Sequence, residues 1–138
     1  MAATAMQVIA AHARELGLMP LERNHARFFC QPMGFVSYGV DLDLVTGALN
    51  CYPGRYGKPV SKRASDAKNF ATAKRLLHCD AFKFLPETNS KEGCDGASYF
   101  IEVDMDGAYS WRCHWVPEEK VLRSLAAVFD ALSRDVAL

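Results

Sequence analysis

The stretch Ser98-Tyr-Phe-Ile-Glu-Val-Asp-Met-Asp-Gly-Ala-Tyr-Ser-Trp-Arg-Cys-His-Trp115 decides the fold class. Tyr99, Ile101 and Val103 alternate with Phe100, Glu102 and Asp104; on the return Tyr109, Trp111, Cys113 and Trp115 alternate with Ser110, Arg112 and His114. Two runs of period two around an Asp-Gly pair spell a β-hairpin. A two-residue Asp106-Gly107 turn would set Trp111 against Glu102 and mix the faces. A three-residue Met105-Asp106-Gly107 loop with a left-handed glycine pairs Val103 with Tyr109 and Ile101 with Trp111, and the sequence favours it.

Working upstream, Phe35 to Asp43 and Ala48 to Tyr52 read as a second hairpin. Its Leu44-Val45-Thr46-Gly47 loop places glycine in the left-handed position and pairs Leu42 with Leu49 and Val40 with Cys51. Ala26 to Gln31 is a short apolar strand. Three amphipathic helices complete the pattern. One spans about residues 5–16, with Thr4 and Gln7 at capping-box spacing and Gly17 ending it. One runs from Ser65 or Asp66 to about Phe84, with Phe70, Ala73, Leu77, Ala81 and Phe84 at helical spacing. One starts at Pro117 and carries Val121, Leu122, Leu125, Val128, Phe129, Leu132 and Val136. Residues 53–64 and 86–96 read as loops. The expectation is one α+β domain over 1–138, an antiparallel sheet of about five strands with three helices, in the order α-β-β-β-α-β-β-α.

The 138 residues are half hydrophobic and carry 16 basic and 16 acidic side chains. That composition argues for a packed core and against disorder. Zero net charge argues against a dedicated nucleic-acid binder, and the lack of a long apolar run argues against a membrane span. Met1 to Ala13 lacks a basic start and a cleavage site, so it does not read as a signal peptide, and a soluble cytoplasmic domain is expected. Five cysteines at wide gaps, with no C-x-x-C, read as reduced thiols in a reducing compartment. Charge is segregated, however: residues 55–83 hold eight basic against two acidic side chains, and residues 84–138 ten acidic against five basic. Such segregation suits a protein that docks a partner or a copy of itself.

The chemistry-bearing residues give no positive sign of an enzyme. Cys113 adjoins His114 and His78 adjoins Cys79, but neighbours on a strand point to opposite faces and neighbours on a helix diverge, so neither pair forms a dyad. No Cys or His spacing matches a zinc site, Asp104-x-Asp106-Gly107 reads as turn chemistry, and no phosphate-binding glycine loop occurs; no cofactor is expected. The basic loop with Arg55, Tyr56, Lys58, Lys62 and Arg63 could track phosphates or block a folded partner, although no nucleic-acid module frames it.

The element order resembles the class I type III secretion chaperones, the Tir-chaperone-like family. The resemblance rests on the Leu16-Gly17-Leu18 turn, the Val40-Asp-Leu-Asp to Gly-Ala-Leu49 hairpin, the Lys74-Arg-Leu-Leu-His-Cys-Asp-Ala-Phe82 helix and a final hairpin leading into a Pro-Glu-Glu helix. It implies a non-enzymatic homodimer that takes up the extended N-terminal segment of a secreted effector protein without ATP. By position it implies effector-binding residues Val8, Ile9, Leu16, Phe28 and Val40. It likewise implies a dimer interface at Leu76, Leu77, Phe84, Ile101 and Trp111. The rival expectation is a small inhibitor or immunity-type protein that blocks a folded partner through the basic 53–64 loop.

Overall fold

β1 (His25–Gln31) takes the centre of a six-stranded antiparallel sheet, between β2 (Tyr38–Asp43) and β5 (Ser98–Met105). The order continues outward through β3 (Ala48–Tyr52) to β4 (Val60–Ala64) on one side, and to β6 (Ala108–Trp115) on the other. This computed structural model describes residues 20–31, 38–52, 60–88, 98–115 and 118–135. The fold is α+β, as expected. The described elements run β-β-β-β-α-α-β-β-α, and the helix expected over residues 5–16 lies outside the described residues.

Period-two alternation gives the sheet two distinct faces. Ala26 and Phe28 of β1 pair with Leu42 and Val40 of β2 and with Val103 and Ile101 of β5, and all six are fully buried. Leu49 and Cys51 extend this face onto β3. Two helices cover it, α1 (Ala67–His78) with Ala73 and Leu77, and α3 (Lys120–Asp135) with Leu125, Phe129 and Leu132. The ring of Phe129 lies parallel to that of Phe28, centroids 5.1 Å apart at 4°. Burying each such side chain contributes about 1.5–3 kcal/mol.

Over the described residues the β2–β3 hairpin forms as read from the sequence, residues 35–37 of its expected first strand lying outside them: Gly47 has φ +78°, and Leu42 meets Leu49. A side chain at Gly47 would sit 3.0 Å from the Phe70 ring, so its absence lets α1 settle against the turn.

Three expectations are corrected. The long second helix breaks at Cys79, whose backbone is extended (φ −76°, ψ 154°); a separate short turn, α2 (Asp80–Lys83), follows. The sheet gains β4 where a loop was expected. This short edge strand has a register shift and the sequence Val60-Ser61-Lys62-Arg63-Ala64, with none of the apolar alternation of a covered strand. Finally, the β5–β6 turn has two residues, not three. Asp106 and Gly107 both have positive φ, +54° and +87°, the requirement of a type I′ turn. Ile101 therefore pairs with Arg112 and Glu102 with Trp111. The register moves Arg112 and His114 to the helix-covered face and Trp111 and Cys113 to the other.

Candidate functional site

The face of the sheet turned away from α1 and α3 carries a ladder of charge over its central strands. Arg27 of β1 is 3% exposed; its Nε lies 3.5 Å from Glu102 Oε2 of β5 and 4.0 Å from Asp41 Oδ2 of β2. The Tyr109 hydroxyl donates to Glu102 Oε1 at 2.9 Å. His25 Nδ1 donates to Asp41 Oδ1 at 2.6 Å, and Nε2 faces Glu22 at 3.1 Å and Asp43 at 3.6 Å. Period-two spacing puts His25, Arg27, Asp41, Asp43 and Glu102 on one face, and each buried charge meets an opposite one, as burial requires. Burial first, then the Glu102 carboxylate, pushes the Tyr109 phenol well above its ordinary value. Phe29 and Phe100 lie fully buried on this same face, so the sheet centre is covered on both sides.

The two sheet edges are treated differently. On β6, Cys113 N–H donates to the Glu87 carbonyl at 2.7 Å and Thr88 makes a parallel bridge to Cys113. Arg112 donates to the Trp111 carbonyl at 2.8 Å and to the carbonyls of Phe82 and Lys83 at 3.4 Å. His114, fully buried, sets Nε2 2.8 Å from the Pro86 carbonyl oxygen, which can only accept. Segment 82–88 thus lies along β6 and closes it with its own carbonyls. At the opposite edge, among the described residues, β4 pairs with β3 alone.

The cysteine–histidine candidates stay apart. His78 Nδ1 is 2.9 Å from the Lys74 carbonyl, the Cys79 thiol donates to the Leu76 carbonyl at 3.1 Å, and His114 is engaged by Pro86. Burial pushes the Cys113 thiol up to about 12, far from a nucleophile's range. Among the described residues, no group of three or more His, Cys, Asp or Glu side chains could hold a metal ion. Among them too, no helix is long and apolar enough to cross a membrane.

The residues implied by the family resemblance are scattered. Phe28 and Val40 are fully buried against α3 and the neighbouring strands, so their side chains are core rather than effector surface. Val8, Ile9 and Leu16 lie outside the described residues. Of the interface set, Leu77 and Ile101 are fully buried core, because the faces that periodicity marks as apolar are those that meet each other across the sheet. Leu76 and Trp111 are half-buried, and Phe84, after α2, is 83% exposed. Arg55, Tyr56 and Lys58 lie outside the described residues, and Lys62 and Arg63 stand in strand β4 rather than in a loop.

The sequence reading missed Arg27, Glu102, Arg112 and His114. The available signal was charge at interior positions of otherwise apolar strands, where a single polar side chain needs a partner from another strand. Compared with known proteins, the chain matches no family model, no curated protein and no solved structure.

Proposed function

We propose that this chain is a non-enzymatic binding protein of the secretion-chaperone kind, a cytoplasmic homodimer that holds an extended segment of a secreted effector protein. The observation that carries this reading is the unequal closure of the sheet among the described residues: the β6 edge is met by carbonyls of segment 82–88, whereas β4 is the last strand on the opposite side. An exposed edge takes up extended peptides by strand addition. The 83% exposure of Phe84 supports a second apolar contact, for the copy of the chain that the dimer requires.

The test is solution mass by light scattering in reductant, followed by capture of secreted proteins encoded nearby. A mass of about twice 15.3 kDa that persists on dilution, with protease protection of the partner's N-terminal segment, is expected. A monomer that protects no such segment would overturn the reading.

The inhibitor reading draws on the same basic 53–64 region and requires a folded partner. A partner bound equally well folded and unfolded would remove it.

A further inference from the structure

Helix α1 carries Lys68, Lys74 and Arg75 and no acidic side chain from end to end. Lys68, Ala71, Arg75 and His78 recur at i, i+3, i+7 and i+10, a spacing that lines them up along one side of a helix, and all four are exposed. Ala73 and Leu77, on the other side, are the residues that meet the core. Ten residues of helix span about 15 Å. Lys74 is turned to its own helix, with its ammonium over the Phe70 ring at 5.2 Å. Lys68 and Arg75 form no ion pair among the described residues. Lys68 also stands in the first turn, the end where the backbone dipole disfavours a cation, so helix stability does not account for it.

The charge of this side calls for an anionic occupant, and its surroundings narrow the choice. Asp66 and Asp80, both exposed, stand just before and just after the helix, so a nucleic-acid strand running on past it meets like charge at either end. No exposed residue on this side of α1 is apolar and larger than alanine, so an anionic membrane gains no buried area there. A second copy is a poor occupant: pairing α1 with α1 sets cation against cation, and the exposed side of α3 carries Lys120 and Arg123. An acidic helix fits. Carboxylates two turns apart on a helix repeat at the spacing of Lys68 and Arg75, and the exposed Ala67 and Ala71 let its backbone come close.

We infer that the exposed side of α1 docks an acidic helical segment of another protein, with Lys68 and Arg75 pairing with carboxylates two turns apart. This docking face uses none of the residues that support the chaperone reading, so the two stand or fall separately.

The probe is a fluorescent alanine-based helical peptide with glutamates three and four residues apart, compared with its glutamine and lysine counterparts and with a twelve-nucleotide thymidine strand. The intact chain should bind the glutamate peptide at least tenfold tighter than any of the three, and less tightly in half-molar salt. Backbone amide shifts on binding should concentrate in α1. The Lys68→Glu, Arg75→Glu double variant, changed only at exposed positions, should keep the parent's urea midpoint, lose at least tenfold in affinity and turn to the lysine peptide. Lys120→Glu, Arg123→Glu makes the same change of net charge on α3 and should leave affinity within twofold. The shift map of the unaltered protein decides the point should the α1 variant fail to fold. Preference for the thymidine strand, equal binding of the glutamate and glutamine peptides, shifts lying outside α1, or equal losses in the two double variants would overturn the inference. Failure with these peptides alongside intact effector capture removes the α1 site alone. A monomer that protects no effector segment and still binds the acidic helix removes the homodimeric chaperone and leaves the α1 site standing.

Discussion

The guanidinium of Arg112 lies over the ring of Phe82, 5.0 Å from its centroid, and donates to the carbonyls of Phe82 and Lys83. One side chain of β6 thus both stacks on α2 and satisfies its last carbonyls, holding the segment that closes the sheet edge. Burial lowers the pKa of this group from arginine's ordinary value, with Glu87 acting in the opposite sense.

Arg112→Met keeps the length and removes the donors. Hydrogen bonds to charged groups contribute about 1.5–3 kcal/mol, so a loss of about 2 kcal/mol is expected in urea unfolding. Amide exchange at Cys113, whose N–H bonds the Glu87 carbonyl, should accelerate in the same variant.

Gly47 and Gly107 both have positive φ, but only Gly47 is crowded. Gly107→Ala should cost about 1–2 kcal/mol from backbone strain alone. Gly47→Ala adds a displaced Phe70 ring and should lower the midpoint further in thermal scans; equal losses would contradict the packing described at the α1 start.

With its thiol pushed up to about 12, Cys113 holds a thiolate fraction on the order of one in ten thousand at pH 8. Iodoacetamide at that pH should leave Cys113 unmodified in the native protein and label it readily in urea, read by mass spectrometry of the peptide that carries it.

The Tyr109 phenol is raised by burial and by Glu102. The native state therefore holds this proton more tightly than the unfolded chain, whose tyrosines titrate near about 10. The contribution is complete below that pH and is lost as pH climbs toward the native value. Urea midpoints measured above pH 9 should fall in the parent protein and fall less in Tyr109→Phe.

Asp43 titrates in the other direction. Burial works against its carboxylate, but N–H donors from Val45 at 2.8 Å and Thr46 at 3.1 Å, with His25 nearby, outweigh burial and hold it below the ordinary range. Its contribution is present above the unfolded value of about 3.9 and lost as pH falls through the native one. Asp43→Ala should be less stable than the parent at pH 7, with the gap narrowing at pH 2–3.

Local chemistry made the β2–β3 hairpin legible: a four-residue loop with a required glycine leaves one register that keeps Leu42, Leu49, Val40 and Cys51 together. The β5–β6 hairpin misled because apolarity marks a face as covered without saying what covers it. Phe29 and Phe100 are as buried on one side of the sheet as Phe28 and Ile101 on the other. The Asp-Gly pair was the sounder guide, and it demanded two residues. The interface set failed at Leu77 and Ile101 for a related reason, since helical and strand periodicity cannot tell a core contact from an exposed one. Arg27 and Glu102 are adjacent only through the pairing of β1 with β5, across most of the chain, which no local pattern announces.

β1 waits between two neighbours that arrive at different times. On the ribosome, β2 follows it at once and can pair by a short connection. Its other partner, β5, emerges only after residue 98, and Ala26 meets Val103 there. Until then β5 cannot pair with that side of the central strand, and the sheet closes only through this long-range contact. Such long-range closure slows folding and exposes intermediates to aggregation. Truncation within residues 65–97 should therefore yield insoluble material, whereas the completed chain hides the vulnerable strand at its centre.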